Sequence, residues 1–374
     1  MKSPHPLALW IVQFGLLFLP ALALAGFETG TVSASNERLF QNGIPQVARL
    51  GNGQLFTVWC AKPKTGAALH IFGAFSADGG RTWSEPKLLI SDAVKEDGDP
   101  NLLVDGNRVL LLSSRCATPN KIDKSWIMMR RSEDNGQTWS PLGEIFVPRQ
   151  YLAGKQANGI VLRDGTYLMG ISWDKWPEIG LAAKSEGEMD ITTGALVSKD
   201  GEKWTLHGAI HATYDDKVTP GGTNGLAEPS VVELADGSVL MLLRSGASHH
   251  YESRSDDSGL TWSKPVPSAL PGHNTPSALW RLDENPREIV VVWNNSPLAR
   301  YPLSTALSAD GGRTWSAPRI VARTPALQVS YPGLTQAADH TLVAVWQQAR
   351  PNGGRDIRWA RFTRDWVLGI GDKN

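Results

Sequence analysis

The chain has 374 residues, and its 37 Lys and Arg residues balance 37 Asp and Glu residues, so the formal net charge is zero. A neutral chain without a basic run has no long-range field for nucleic acid or an anionic membrane, which argues against both as partners. The length alone fits about two domains, or one large repeat architecture. The 37 glycines, 24 prolines and 15 tryptophans favour many short strands joined by tight turns.

The N-terminal segment is typical of an export signal. Lys2 gives a positive start, residues 7–24 form an apolar run, and residues 23–25 supply the small residues of a cleavage site. The run contains Gln and Pro and lacks a basic flank, which argues against a membrane anchor. We expect a signal peptide over residues 1–25 and one mature domain over residues 26–374, exported to the periplasm or the extracellular space.

Cys60 and Cys116 are the only two cysteines, and each follows an apolar stretch. In an exported protein they could form a disulfide, but the sequence does not supply the Cα separation that a disulfide requires. Two unpaired thiols at matching places in neighbouring repeats are the alternative.

One pattern, Ser-x-Asp-x-Gly-x-x-Trp, recurs along the chain. Full copies occupy residues 76–83, 132–139, 255–262 and 308–315, and a copy one residue shorter occupies residues 198–204. Ser and Asp bond the amides of their own turn, Gly adopts a left-handed backbone, and Trp packs back between strands, so the pattern predicts hairpin turns. We expect a structural role at an outer hairpin for the five aspartates, which are Asp78, Asp134, Asp200, Asp257 and Asp310.

Paired apolar runs, each pair joined by a turn, recur six times and predict the first two strands of each repeat. The pairs are residues 44–50 with 54–59, 102–104 with 108–112, 159–162 with 167–171, 229–234 with 238–243, 277–282 with 289–293, and 333–336 with 341–346. The hairpin turns add a third and a fourth strand. We therefore predict an all-β fold, a six-bladed β-propeller of four-stranded antiparallel blades, in which residues 26–36 add an outer strand to the last blade.

The repeats and the export signal resemble the bacterial sialidase (neuraminidase) superfamily, the Asp-box or BNR-repeat propellers. Segments outside the turns are also similar to that family, namely residues 227–232, 240–245, 300–303 and 330–334. The resemblance covers essentially the whole mature chain. It implies an exo-acting glycoside hydrolase that releases terminal sialic acid or a similar acidic sugar from glycans and needs no cofactor.

The resemblance also implies roles for four residues. Tyr331 is the expected nucleophile and Glu228 its base, because a neutral phenol approaches the substrate carboxylate without repulsion but needs a group to accept its proton. Arg244 and Arg300 are the expected arms of a clamp, because guanidinium groups bind carboxylates in a forked geometry. Two of the four have a plainer alternative, a turn cap for Glu228 and a packing aromatic for Tyr331.

The sequence departs from the family at two places. Gly43 occupies the position of the arginine in the family's Arg-Ile-Pro motif, and residues 60–75, where the family has its acid, contain no Asp or Glu. Asp99 is the expected substitute acid, with Asp97 as the other candidate, because both open the second repeat. The replacement charge could come from the lysines of the 60–75 segment, Lys62 and Lys64.

Three functions remain open at this point: a sialidase-type hydrolase, a hydrolase of the same fold for another sugar such as a uronate, and a non-catalytic glycan-binding propeller. A complete acid and nucleophile set favours the first, whereas a tryptophan-rich pocket without an acid favours the third. The candidate sugar-stacking residues are Trp173, Trp176, Trp293 and Trp346, although tryptophan in propellers is more often core.

No nucleotide-binding loop, metal-ligand cluster or Ser-His-Asp spacing stands out. His249 and His250 form an isolated pair, which we expect to be solvated on a loop. The expected partner is the glycan substrate, and the sequence indicates no protein partner.

Overall fold

The computed structural model describes residues 26–66, 68–117, 125–149, 152–153, 157–174, 189–214, 224–324 and 327–370. Within these ranges the chain forms 26 β-strands and one short helix in a propeller arrangement. The prediction of an all-β propeller is therefore confirmed. The expected signal peptide and Trp176 lie outside the described residues.

The strands of the first half are β1 (Phe27–Ser33), β2 (Gln41–Arg49), β3 (Leu55–Lys62), β4 (His70–Ser76), β5 (Lys87–Ile90), β6 (Glu96–Asp105), β7 (Arg108–Cys116), β8 (Ser125–Ser132), β9 (Gly143–Ile145), β10 (Leu152–Ala153), β11 (Ile160–Val161), β12 (Tyr167–Asp174), β13 (Asp190–Ser198) and β14 (Thr205–Ile210). Those of the second half are β15 (Asn224–Gly225), β16 (Ala227–Glu233), β17 (Val239–Arg244), β18 (His249–Ser255), β19 (Val266–Pro271), β20 (Ala278–Arg281), β21 (Ile289–Asn294), β22 (Leu303–Ser308), β23 (Arg319–Ala322), β24 (Val329–Gln336), β25 (Leu342–Ala349) and β26 (Arg355–Phe362), followed by helix α1 (Arg364–Leu368).

The described strands pair into five sheets. Three are four-stranded and antiparallel, formed in chain order by β6–β9, β16–β19 and β20–β23. A fourth contains β12, β13 and β14 with the short strands β10, β11 and β15, and the fifth joins β2–β5 to β24–β26 and β1. The count of six blades is therefore not confirmed, because one parallel pairing of Gln41 with Arg355 makes a single eight-stranded sheet of the first and last strands.

The N-terminal strand β1 pairs antiparallel with β26, as predicted for residues 26–36. It covers the outer edge of the last strands, so that this edge is not exposed to a second chain. Helix α1 lies next to this edge, where Trp366 stacks on Phe27 with ring centroids 4.6 Å apart. The two ends of the described chain thus pack together.

The six predicted strand pairs are all present, but several first strands begin earlier than their apolar runs. Strand β6 begins at Glu96, whereas the apolar run begins at Leu102. Residues 96–101 include charged residues and a proline, which do not look like a strand in the sequence. The structure accommodates the proline in a bulge.

The five Ser-x-Asp turns join the third and fourth strands of their repeats, as expected. In the first copy, Ser76 Oγ accepts from the Gly80 amide and donates to Asp78, both at 2.8 Å. Partial burial raises the pKa of Asp78, but hydrogen bonds from Thr82, Ser76 and Arg81 outweigh it and lower the pKa to about 2. The carboxylates of the five aspartates accept hydrogen bonds within their own turns, which agrees with a structural role.

The exposure of the side chains tests two expectations, one about the tryptophans and one about the histidine pair. Trp173, Trp293 and Trp346 are 4%, 2% and 1% exposed, so they belong to the core and cannot stack on a sugar. The expectation of a solvated histidine pair is wrong, because β18 begins at His249 and places His250 inside, where it is 1% exposed. Burial lowers the pKa of His250 to about 4.

Cys60 and Cys116 both lie in the described part of the chain, and no disulfide joins them. Burial raises the pKa of the Cys60 thiol to about 12, and the charge of Asp99 acts in the same direction. No helix among the described residues is long and apolar enough to span a membrane.

Candidate active site

The candidate site is built on a backbone feature that recurs near the start of β2, β6, β16 and β24. We call the first strand of each repeat its inner strand. Four residues stand directly before a proline and have a left-handed backbone: Ile44 (φ 53°), Asp99 (φ 52°), Glu228 (φ 46°) and Tyr331 (φ 56°). At each place the ladder to the next strand shifts register. Proline cannot donate to the ladder, so a bulge there is the arrangement that keeps the remaining pairs intact.

This backbone is strained, because a residue before proline avoids helical angles and a side chain disfavours positive φ. Such strain costs of order 1–3 kcal/mol per residue and tends to occur where a side chain must be aimed precisely. Four equivalent occurrences, three of them at Asp99, Glu228 and Tyr331, mark the inner strand starts as the candidate site.

Glu228, Arg244 and Tyr331 form a hydrogen-bonded triangle. Arg244 Nη1 donates to Glu228 Oε1 at 2.7 Å and to the Tyr331 hydroxyl oxygen at 3.3 Å. The Tyr331 hydroxyl donates to the same Glu228 Oε1 at 3.3 Å. The three side chains are 4%, 3% and 8% exposed, so they interact with little screening by water.

Local pairing explains one side of this triangle, and the adjoining sheet holds the backbone of Glu228. Arg244 ends β17 opposite Ala227, the residue before Glu228, so the antiparallel register brings the ion pair together. The Glu228 amide donates to Ser172 Oγ at 3.0 Å. The Ser172 hydroxyl in turn meets Thr193 Oγ1 at 2.9 Å, so two strands of the adjoining sheet hold the glutamate backbone.

The two carboxylate oxygens of Glu228 differ in their contacts. Oε2 is buried, and no hydrogen-bond partner for it exists among the described residues. A buried carboxylate oxygen is costly to leave unpaired. The Tyr331 hydroxyl bonds to Oε1, so Oε1 is the oxygen in place to accept the phenol proton.

Arg300 joins the cluster through Asn274. Arg300 Nη2 donates to the Asn274 carbonyl at 2.7 Å, and Asn274 Oδ1 accepts from Arg244 Nε at 2.8 Å. The Arg300 guanidinium also lies 5.6 Å from the centre of the Tyr331 ring. Both predicted clamp arginines thus lie beside the predicted nucleophile.

The two guanidinium groups make this region positive. Burial lowers the pKa of nearby His273, and the charges of Arg300 and Arg244 lower it further. Two guanidinium groups beside a tyrosine in a partly desolvated region suit a substrate with a carboxylate.

The two acid candidates differ in their surroundings. Asp97 is fully buried and accepts two hydrogen bonds from Arg115, at 2.8 Å and 2.9 Å. Burial raises the pKa of Asp97 although Arg115 opposes the shift. Asp99 instead occupies the bulge position of β6 that corresponds to Glu228 and Tyr331 and is 7% exposed. Of the two, Asp99 is the residue that shares the backbone geometry of the site.

The candidate lysines lie at the end of β3. Lys64 pairs with Glu37 at 2.9 Å on the surface, with both side chains more than half exposed, so it does not supply the missing charge. Lys62, the last residue of the strand, is partly buried.

A cavity of about 560 Å³ lies at the other end of the inner strands. Its charged residues pair with each other, Arg49 with Asp283 at 2.6 Å and Arg281 with Glu233 at 3.4 Å. None of the residues predicted for the site lines it.

The described residues also contain no group of three or more His, Cys, Asp or Glu arranged to hold a metal ion.

Two residues that contact the triangle, Asn274 and Ser172, are not among those predicted from the sequence. Asn274 has the same left-handed backbone (φ 48°) and stands two residues before a proline at the start of the fifth repeat. Alignment of the prolines that open the repeats points instead to Thr275, because the other bulge residues stand directly before their prolines. Ser172 lies inside an apolar strand and has no comparable signal.

Comparison with known proteins finds a matching family model and several related sequences. A family model described as "BNR repeat-like domain" matches residues 53–345. A sialidase of Micromonospora viridifaciens is 26% identical over 94% of this chain and 57% of its own length, and a sialidase of Paraclostridium sordellii is 25% identical over 52% and 50%. An anhydrosialidase of Macrobdella decora is 32% identical over 41% of this chain and 18% of its own length.

Solved structures with the same fold include a Hadza microbial sialidase, with a TM-score of 0.72, 18% identity and coverage of 91% of this chain and 69% of that one. Trypanosoma rangeli sialidase in complex with the inhibitor DANA has a TM-score of 0.70, 14% identity and coverage of 93% and 61%. The chain spans about half the length of the first curated relative that it matches.

Proposed function

This chain belongs to the BNR-repeat sialidase superfamily of β-propellers, and on that premise we propose that it is an exo-acting glycoside hydrolase that releases terminal sialic acid or a similar acidic sugar from glycans. Two of its named curated relatives are sialidases and the third is an anhydrosialidase, which does not favour the alternatives of another sugar or a non-catalytic binder.

The observation that carries the proposal is the triangle of Tyr331, Glu228 and Arg244. A phenol becomes a useful nucleophile when a base takes its proton and a cation stabilises the oxygen. Glu228 Oε1 and Arg244 Nη1 both lie 3.3 Å from the Tyr331 hydroxyl oxygen, so both groups are in reach.

In the first half of the reaction, Tyr331 Oη attacks the anomeric carbon while Glu228 accepts the phenol proton. The glycosidic bond breaks, and its oxygen takes a proton from a carboxylic acid to leave as the alcohol. In the second half, water attacks the same carbon. The Tyr331–carbon bond breaks, Glu228 returns the proton to the phenol oxygen, and the acid regains its proton from the water. Arg244 and Arg300 hold the sugar carboxylate and orient the anomeric carbon.

We assign the acid role to Asp99. Its support is the shared bulge position with Glu228 and Tyr331, together with the pairing that ties Asp97 to Arg115. An acid of this kind contributes about 10²–10⁴-fold to the rate when the leaving group is a sugar alcohol.

We also propose that the ring has six blades. The support is that a single pair, Gln41 with Arg355, joins the two halves of the eight-stranded sheet. In addition, the inner strands are in contact in the cyclic order β2, β6, β11, β16, β20, β24 and β2.

Export with cleavage after residue 25 remains a proposal, as does a mature domain over residues 26–374. Gly26 would become the N-terminus, and its carbonyl accepts from the Thr363 amide at 3.1 Å, so cleavage there leaves β1 whole. Expression with residues 1–25 in a bacterial host, followed by N-terminal sequencing of the exported protein, tests it.

The proposed activity is tested with purified protein and a panel of fluorogenic exo-glycosides that includes an aryl sialoside, an aryl uronide and neutral controls. We expect turnover of the sialoside with retention of the anomeric configuration. A fluorinated sialosyl fluoride should label Tyr331, as located by peptide mass spectrometry. Turnover of another glycoside alone, or binding without turnover, would overturn the proposal in favour of one of the two alternatives.

A further inference from the structure

The missing clamp arginine leaves a space that another residue enters. A Cβ placed on Gly43 would lie 2.9 Å from Gln347 Oε1 and 3.8 Å from Nη1 of Arg355. Arg355 begins β26, and its amide donates to the Phe40 carbonyl at 2.9 Å. The end of its side chain thus reaches the region into which a side chain at position 43 would project.

This region adjoins the proposed nucleophile. Gln347 Oε1 accepts from the Ile44 amide at 3.1 Å, and Gln347 Nε2 donates to Ser330 Oγ at 3.4 Å. Ser330 precedes Tyr331, and Ile44 occupies the bulge position that corresponds to Tyr331. One glutamine side chain therefore connects the place of Arg355 to the strand of the nucleophile.

The charges of Arg355 and Asp99 both affect the Cys60 thiol. Burial and the charge of Asp99 raise the pKa of the Cys60 thiol, whereas the charge of Arg355 opposes them. Cys60 Sγ donates to the Gly43 carbonyl at 3.4 Å. Arg355 and Asp99 consequently both lie close to the start of β2.

The Arg355 guanidinium has no anionic partner among the described residues. It forms no hydrogen bond or ion pair with any described residue, although its side chain is partly buried. Arg350 pairs with Asp356 and Arg361 with Asp339, each at 2.8 Å. Arg358, on the same strand as Arg355, bonds to the Thr31 hydroxyl. A partly desolvated cation without a partner is costly unless an anion joins it.

We propose that Arg355 binds the carboxylate of the substrate together with Arg244 and Arg300, in place of the arginine that Gly43 replaces. The inference rests on the proposed function and names the residue that completes its specificity for acidic sugars. The clamp then has three guanidinium groups from three different parts of the chain. Its third member comes from β26 instead of β2.

The test compares binding of the inhibitor DANA, which carries a carboxylate, with binding of its methyl ester, which does not. We expect Arg355→Gln to weaken DANA binding about 10–100-fold, the size of one charged hydrogen-bonding partner, and to leave ester binding unchanged. KM for an aryl sialoside should rise more than kcat falls. Arg355→Lys should restore part of the affinity because it keeps the charge without the fork.

Two further variants make the test specific. Arg358→Gln changes an arginine of the same strand that bonds to Thr31, and it should leave DANA binding unchanged. The double variant Gly43→Arg, Arg355→Gln places an arginine where the family has it and should regain affinity relative to Arg355→Gln. Thermal unfolding of each variant checks that the fold is retained.

The outcomes separate the two proposals. If the wild type prefers DANA to its ester and Arg355→Gln keeps that preference, the inference is wrong and the proposed function stands. If the wild type binds neither compound and cleaves no sialoside, the proposed function fails and the inference falls with it.

Discussion

The Tyr331 hydroxyl lies 3.3 Å from Glu228 Oε1, although 103 residues separate the two along the chain. Both residues stand before a proline at the bulge of an inner strand, with φ of 56° and 46°. The same local device, used in two distant strands, aims both side chains at one point. Arg244 fixes the distance between them by bonding to both.

Removal of either partner should abolish most activity. We expect Glu228→Gln to lower kcat about 10²–10⁴-fold, because the phenol loses its base, and Tyr331→Phe to lower it at least as much. Steady-state kinetics with an aryl sialoside measure both. Glu233→Gln is the matched control, since Glu233 lies on the same strand and pairs with Arg163 at 3.0 Å, away from the triangle. Equal losses in all three variants would indicate a general effect on folding and contradict the assignment.

Gly170 permits the close approach that positions Glu228. A Cβ on Gly170 would lie 2.5 Å from Pro229 Cγ, so Gly170→Ala should displace the proline and the glutamate before it. We expect kcat to fall at least about tenfold with a smaller change in KM, because small errors in catalytic geometry are costly. Gly143→Ala serves as the control, since its nearest neighbour would be 3.9 Å away. Unchanged kcat in Gly170→Ala would show that this contact does not hold the site.

Asp99 and Asp97 should respond differently to substitution. Asp99→Asn should lower the rate on sialyllactose about 10²–10⁴-fold and spare the aryl sialoside, whose leaving group needs little protonation. Asp97→Asn should instead lower the free energy of unfolding by about 3–5 kcal/mol, because it leaves Arg115 buried without its full partner. Kinetics on both substrates and urea unfolding separate the effects. An equal loss on both substrates in Asp99→Asn would indicate that Asp99 binds the sugar and is not the acid.

His250 should make the protein sensitive to mild acid. Its pKa is about 4 in the fold, below the ordinary value of 6.5, so between these values the unfolded chain binds a proton that the folded chain does not. Stability should therefore fall as the pH falls from about 6.5 to about 4, by roughly 3 kcal/mol from this residue, and no further below.

His250→Leu should remove this part of the pH dependence. Urea unfolding at several pH values between 4 and 7 measures it, with His207→Leu, a partly exposed histidine of β14, as the control. Parallel curves of unfolding free energy against pH for His250→Leu and the wild type would refute the prediction.

The sequence determined the propeller by itself, because its signals are local. Each Ser-x-Asp turn satisfies its own hydrogen bonds within eight residues, as Ser76 and Asp78 do, and each paired apolar run forms a hairpin with its neighbour. The same locality led to the wrong expectation at His250, because the buried side of a strand depends on what packs against it.

Only the tertiary structure decided which polar residues meet. Glu228, Arg244 and Tyr331 lie on β16, β17 and β24, and Asn274 lies in the loop before β20. Their contacts exist because the packing of the sheets brings these distant segments together. The sequence showed that Gly43 lacks a side chain but not that Arg355, more than 300 residues later, reaches the same space. That proximity depends on the pairing of β26 with β1, β2 and β25, a long-range arrangement that no local pattern encodes.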